Sequence, residues 1–229
     1  MTWIHWVIDL VLLLIIILCA WRGFRNGLIA GILALCAVLF SVYAADILAD
    51  TYSGEFTKML EPFVTGIVDT ASSSAEEYYE KKGKEPTVYD MTQRTVKSVG
   101  FLKSAGENVS KSIAEEQTET GPVLRKAIVE KLCSVIAYVL TFAIMFILLI
   151  IIFAVIGNLF NLAFKLPGLE LISGVLGFLL GLAKGLLYVF AIAWLLRFTG
   201  MFLTEEKVNS TILLKWLMEN CPLVGFLGL

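Results

Sequence analysis

Four apolar runs, each about long enough to cross a bilayer, constrain this chain more than any other feature. A helix rises about 1.5 Å per residue, so about 30 Å of hydrocarbon takes roughly 20 residues. Trp3–Trp21 carries one charge, Asp9, and Gly27–Ala45 carries none. Leu132–Phe164 is uncharged and longer than a single crossing needs, while Leu171–Leu196 is interrupted only by Lys184. These runs predict an all-α fold: an integral membrane bundle of four transmembrane helices. The first run is not built like a cleaved signal, because it lacks a basic leading region, contains an acid and is followed by RGFRNG. It is expected to be a retained helix.

The charges lie elsewhere. Between Ala49 and Lys131 fall 14 of the 20 acidic residues and 11 of the 18 basic ones. The chain therefore divides, on sequence, into residues 1–48 with the first two spans, a polar and mainly helical insert at 49–131, residues 132–200 with the last two spans, and an amphipathic tail at 201–229. A hydrophobic content of 58% against 17% charged is far from the soluble norm. The formal net charge of −2 argues against a nucleic-acid partner, which needs a basic patch. The expected partners are the lipid bilayer and either further copies of the chain or other membrane proteins.

Basic residues in short loops set orientation. Arg22 and Arg25 occupy the first turn without an acid, and Lys165 lies in the turn between the third and fourth spans. Both turns are expected on the cytoplasmic side, with the insert and both termini outside. Within the insert, Thr95, Val99, Leu102, Gly106, Val109 and Ile113 recur at steps of three or four, the pattern of one helical face, which Gly100 and Gly106 weaken. A shorter stripe, Phe63, Ile67 and Ala71, follows Pro62, a residue suited to a first helical turn. KKGKEP and AEEQTETGP are expected turns. In the tail, Ile212, Leu213, Trp216 and Leu217 share a face, and Cys221-Pro222 is expected to end that helix.

A charge inside a span costs about 2.5–3.5 kcal/mol on insertion scales, so Asp9 and Lys184 each need a reason. Asp9 lies about 9 Å below the outer boundary and Lys184 about 10 Å, if the fourth span starts near Leu171. The two are therefore a candidate intramembrane charge pair, against the alternative that Lys184 snorkels to water. Gly23, Gly27 and Gly31 repeat at four-residue spacing at the start of the second span, and Gly177, Gly181 and Gly185 do so in the fourth. Such stripes let helices approach closely, so a crossing of the second and fourth spans is expected. Asn158 and Asn161 precede Lys165-Leu166-Pro167-Gly168, an expected interfacial turn.

Residues for catalysis are missing. His5 is the single histidine, the four cysteines (Cys19, Cys36, Cys133, Cys221) are far apart, and no P-loop, Gly-x-Ser-x-Gly or HExxH is present. No enzyme activity, cofactor or metal is expected.

Asp9 followed by Arg22-Gly23-x-x-x-Gly27, then GFLLGLAKGLL with Gly177, Gly181, Lys184 and Gly185, resembles the colicin V production (CvpA-like) family. VNSTILLKWL, which contains Ser210, resembles the family's short segment after the last span, whereas residues 49–131 depart from the shorter connection of many members. The resemblance implies a small multi-pass protein of the bacterial inner membrane, non-enzymatic, supporting production or secretion of a colicin V-like toxin and envelope integrity. The rival expectation, from the residues, is a small oligomeric transporter or channel using Asp9, Lys184 and the glycine-lined helices.

Overall fold

The chain is described by a computed structural model over residues 4–83, 85–117, 121–163, 170–198, 203 and 205–227. Every regular element among these residues is an α-helix: α1 (Ile4–Lys82), α2 (Val88–Val99), α3 (Lys103–Glu116), α4 (Pro122–Ala163), α5 (Glu170–Leu196), α6 (Glu205–Ser210), α7 (Leu213–Glu219) and α8 (Pro222–Leu227). Three helices carry stretches long and apolar enough to cross a membrane, within Trp6–Lys82, Pro122–Gly157 and Ser173–Leu196. The expected turn at Lys165–Gly168 lies outside the described residues.

The first of these is two helices in one. Gly27 has φ 80° and ψ −177°, a backbone conformation that side-chain-bearing residues rarely adopt. It divides α1 into 4–26 and 28–82, so the two expected N-terminal spans meet at this one residue. The break has a physical consequence at Leu28, whose N–H loses its helical carbonyl. Ser173 Oγ accepts that N–H at 2.9 Å, acting as a helix cap supplied from α5.

The chain forms two compact units. One comprises Met1–Leu48, Phe142–Trp194 and Glu206–Leu223; the other comprises Ala49–Thr141, Leu195–Glu205 and Val224–Leu229. The apolar unit buries Val38, Val42, Ala45, Phe142, Val189, Trp194, Leu214 and Leu217. Phe142 anchors this core, with its ring 5.1 Å from Trp194 and 5.7 Å from Phe146 between centroids. Large apolar side chains such as Leu10, Ile17, Leu148 and Ile151 point outward, as lipid-facing residues do.

The polar unit has its own core of Val64, Val68, Ala71, Val96, Val109, Ile113, Ile128 and Leu132. Its helices differ from expectation in three respects. First, the continuous face expected from Thr95 to Ile113 is split. Gly100 turns to φ 108° and caps α2, with its N–H bonded back to Lys97 and Val96 carbonyls, and α3 starts at Lys103. Thr95, Leu102, Gly106, Val109 and Ile113 are buried on these two helices rather than one. Thr87 and Asp90 form a capping box at the other end of α2.

Second, Pro62 lies inside α1 instead of opening a helix. It is exposed, and its missing N–H costs one bond in an element that the flanking turns sustain. Third, Phe63 and Ile67 face out at 74% and 51% exposure, while Val64, Val68, Ala71 and Ala75 face in. The buried stripe thus shares Ala71 with the expected one but reaches it through Val64 and Val68 instead of Phe63 and Ile67. α4 also begins at Pro122, ten residues ahead of the apolar run, and its opening turns join the polar core through Leu124, Ile128 and Leu132.

Candidate functional site

The apolar unit places all six stripe glycines around one helix crossing. A side-chain carbon at Gly177 would collide with the Gly23 carbonyl and meet Gly27 Cα at 3.0 Å. At Gly181 it would collide with the Cys19 carbonyl and meet Ala20 Cα at 3.0 Å, and at Gly185 it would meet Ile16 Cα at 3.0 Å. Contacts thus descend the first helix, 27 to 16, as they ascend α5. The crossing is antiparallel, and its main partner is helix 4–26.

The expected contact of the second and fourth spans is present beside it, but the closer, backbone-to-backbone crossing is with the first helix. Gly23 sits on the first helix, not at the start of the second, because the break comes at Gly27. Gly27 and Gly31 touch α5 only near Ser173, Gly177 and Leu180. Four-residue spacing identifies a flat face but not what packs on it.

Asp9 and Lys184 do not pair. Asp9 accepts the backbone N–H groups of Ile212 at 2.8 Å and Leu213 at 3.3 Å through Oδ2, and that of Leu214 at 3.1 Å through Oδ1. These are orphan donors at the start of α7, whose own N-cap Ile212 has no side-chain acceptor. The carboxylate therefore acts as the N-cap of a helix remote in sequence, and the negative charge sits at the favourable end of its dipole. On the tail helix, Leu217 of the expected face is buried together with Leu214 and Met218, while Ile212 and Trp216 of that face are exposed. α7 ends at Glu219, just ahead of Cys221-Pro222 as expected, and Pro222 then opens α8, in keeping with its fit to a first helical turn. Ser210, outside this cap, donates to the Lys207 carbonyl at 2.7 Å.

Lys184 instead borders a cavity of about 600 Å³. Its wall is formed by the 29–41 stretch of α1, the 150–157 stretch of α4 and Tyr188 of α5, and Arg22, Asn26 and Lys184 also line it. The Lys184 ammonium lies 5.4 Å from the Tyr188 ring centroid. Among the described residues its lining holds two cations, Arg22 and Lys184, and no carboxylate. Sequence reasoning identified Lys184 and Arg22 but gave them separate roles; that they share a cavity depends on the hairpin at Gly27. Arg25 is exposed and outside the lining. The four cysteines carry no disulfide, and Cys36 is exposed on the cavity wall. Among the described residues no group of three or more His, Cys, Asp or Glu gathers as a metal-ligand set.

The family model described as Colicin V production protein matches residues 8–75 and 113–222. The chain belongs to the colicin V production protein family. Both matched parts contain the features above: Asp9, the Gly27 break and the first-helix side of the crossing in one, α5 and α7 in the other. The unmatched stretch between them, 76–112, holds α2 and most of α3. The departure from the family is therefore narrower than the expected 49–131, since 49–75 and 113–131 are matched. No curated protein and no solved structure matches the chain.

Proposed function

We propose that the protein is a non-enzymatic, multi-pass component of the bacterial inner membrane that supports production or secretion of a colicin V-like toxin and the integrity of the envelope. Family membership over both apolar parts of the chain is the observation that carries this reading. The division of α1 at Gly27 supports four spans, with α4 and α5 as the third and fourth. Arg22 and Arg25 favour a cytoplasmic first turn, and the polar insert then lies outside. A deletion strain should become more sensitive to envelope stress or lose secretion of the toxin, with rescue by the wild-type chain. Unchanged sensitivity and unchanged secretion would count against the role.

A second reading, a small oligomeric transporter, draws support from the cavity beside Arg22 and Lys184. It no longer draws any from Asp9, whose oxygens are taken by α7, or from the glycines, which are packed against neighbouring helices. Purified protein in liposomes distinguishes the two: uptake or conductance supports transport, and its absence removes it.

A further inference from the structure

We infer that the cavity beside Arg22 and Lys184 is a binding site for one anionic phospholipid, whose phosphodiester sits between the two cations and whose acyl chain lies along α1 and α4. The inference rests on the membrane reading above but not on the toxin role. Three observations on the cavity support it.

The first is charge. Lys184 lies in an apolar segment, where a cation is costly unless it meets an opposite charge. Asp9 is committed to α7, and among the described residues the cavity lining provides Arg22 but no acid. Two cations without a carboxylate suit an anion, and a guanidinium suits phosphate oxygens in particular. A zwitterionic headgroup would bring an ammonium for which the described lining holds no carboxylate, so a net-negative headgroup is preferred.

The second is level. Gly185 packs on Ile16 and Cys19, which sets neighbouring Lys184 beside that turn of the first helix. Arg22 is three residues beyond Cys19, so the two cations stand within about one helical turn of each other along the helix axis. Asn26 adds a further polar group toward the Gly27 turn.

The third is shape. The apolar wall on α1 runs from Ile29 to Phe40, about 17 Å of helix. Phe153 closes the wall from α4, edge-on to Phe40 at 5.7 Å between centroids. The volume is in the ~300–1,000 Å³ range of ligand sites.

The test reconstitutes the full chain in vesicles of equal phosphatidylglycerol and phosphatidylcholine, extracts it in mild detergent and counts retained lipid by native mass spectrometry. Wild type should retain one phosphatidylglycerol in preference to phosphatidylcholine. Lys184→Gln and Arg22→Gln should each weaken retention about tenfold, the loss of one charge-assisted contact. Lys184→Arg should keep it, as should Lys58→Gln, a cation outside the cavity. Arg22 is exposed, so its variant does not endanger folding and keeps the test decisive if Lys184→Gln fails to fold. Equal retention of both lipids by wild type, or undiminished retention by Arg22→Gln, would overturn the site. Displacement of the lipid by excess inorganic phosphate would also overturn it, assigning the cations to a free anion. Membrane fractionation of the same samples is read separately: wild type absent from the membrane pellet would mean that the membrane reading itself had failed.

Discussion

The Asp9 carboxylate lies 2.8 Å from the backbone nitrogen of Ile212, a contact that spans 203 residues of sequence. It explains a costly intramembrane acid without any cationic side chain. It also ties the C-terminal tail to the first helix, so the short helix α7, marginal alone, is held by a partner on another element.

Asp9→Ala should therefore lower stability by about 2 kcal/mol, the cost of an N-cap strengthened by charge. Asp9→Asn keeps an acceptor oxygen and should lose less. Denaturant titration in mixed micelles measures both, and cysteine reactivity at Cys221, buried beside α7, should rise in Asp9→Ala. Equal stability of Asp9→Ala and wild type would show that the cap contributes nothing.

The glycines fall into two classes that a substitution series should separate. Gly177→Ala and Gly181→Ala place a methyl against the backbone of the first helix, which cannot rotate away, and each should cost about 1–3 kcal/mol. Leucine at either position should be worse. Gly54 and Gly66 face open space inside a helix, so alanine there should be neutral or stabilising by about 0.5–1 kcal/mol. Thermal unfolding in detergent with the same ranking for both classes would reject the close crossing.

At Gly27 the cost is conformational. A residue with a side chain at φ 80° pays about 1–2 kcal/mol, and its Cβ would also meet Ser173 Oγ at 2.6 Å. Gly27→Ala should destabilise by at least that amount, and Ser173→Ala by about 1 kcal/mol through the uncapped Leu28 N–H. If Gly27→Ala retains wild-type stability, the helix is continuous there and the hairpin is wrong.

Much of this architecture was legible in the sequence, and the failures share a cause. The apolar runs, the cost of Asp9 and Lys184 and the flatness of both glycine stripes follow from residue type and spacing. Partners do not. Asp9 is held by backbone N–H groups, which leave no side-chain signal at 212–214. The stripe on α5 could face any small-residue surface, and the break at Gly27 moved Gly23 onto the first helix. In the insert, the apolar period continued in phase across Gly100, which hid a left-handed cap that only backbone geometry reveals. Phe63 and Ile67 failed differently: Phe63 and Val64 are both apolar, and Ala71, which is buried, fits either phase.

The polar unit offers a direct check on that phase. Val68 is fully buried, so Val68→Ala should cost about 2 kcal/mol of stability. Phe63→Ala and Ile67→Ala, on the exposed side, should stay within about 0.5 kcal/mol. The reverse ranking would restore the stripe expected from sequence.

The proposed topology has four spans, with the first turn and the polar insert on opposite sides of the bilayer. Replacing Cys19, Cys36, Cys133 and Cys221, then placing single cysteines at Arg25 and Lys82, tests it with a membrane-impermeant maleimide on intact cells. Labelling at Lys82, with Arg25 labelled only after the membrane is permeabilised, is the predicted result. Labelling of both positions in intact cells would contradict the hairpin across the membrane, and labelling at Arg25 alone would invert the topology.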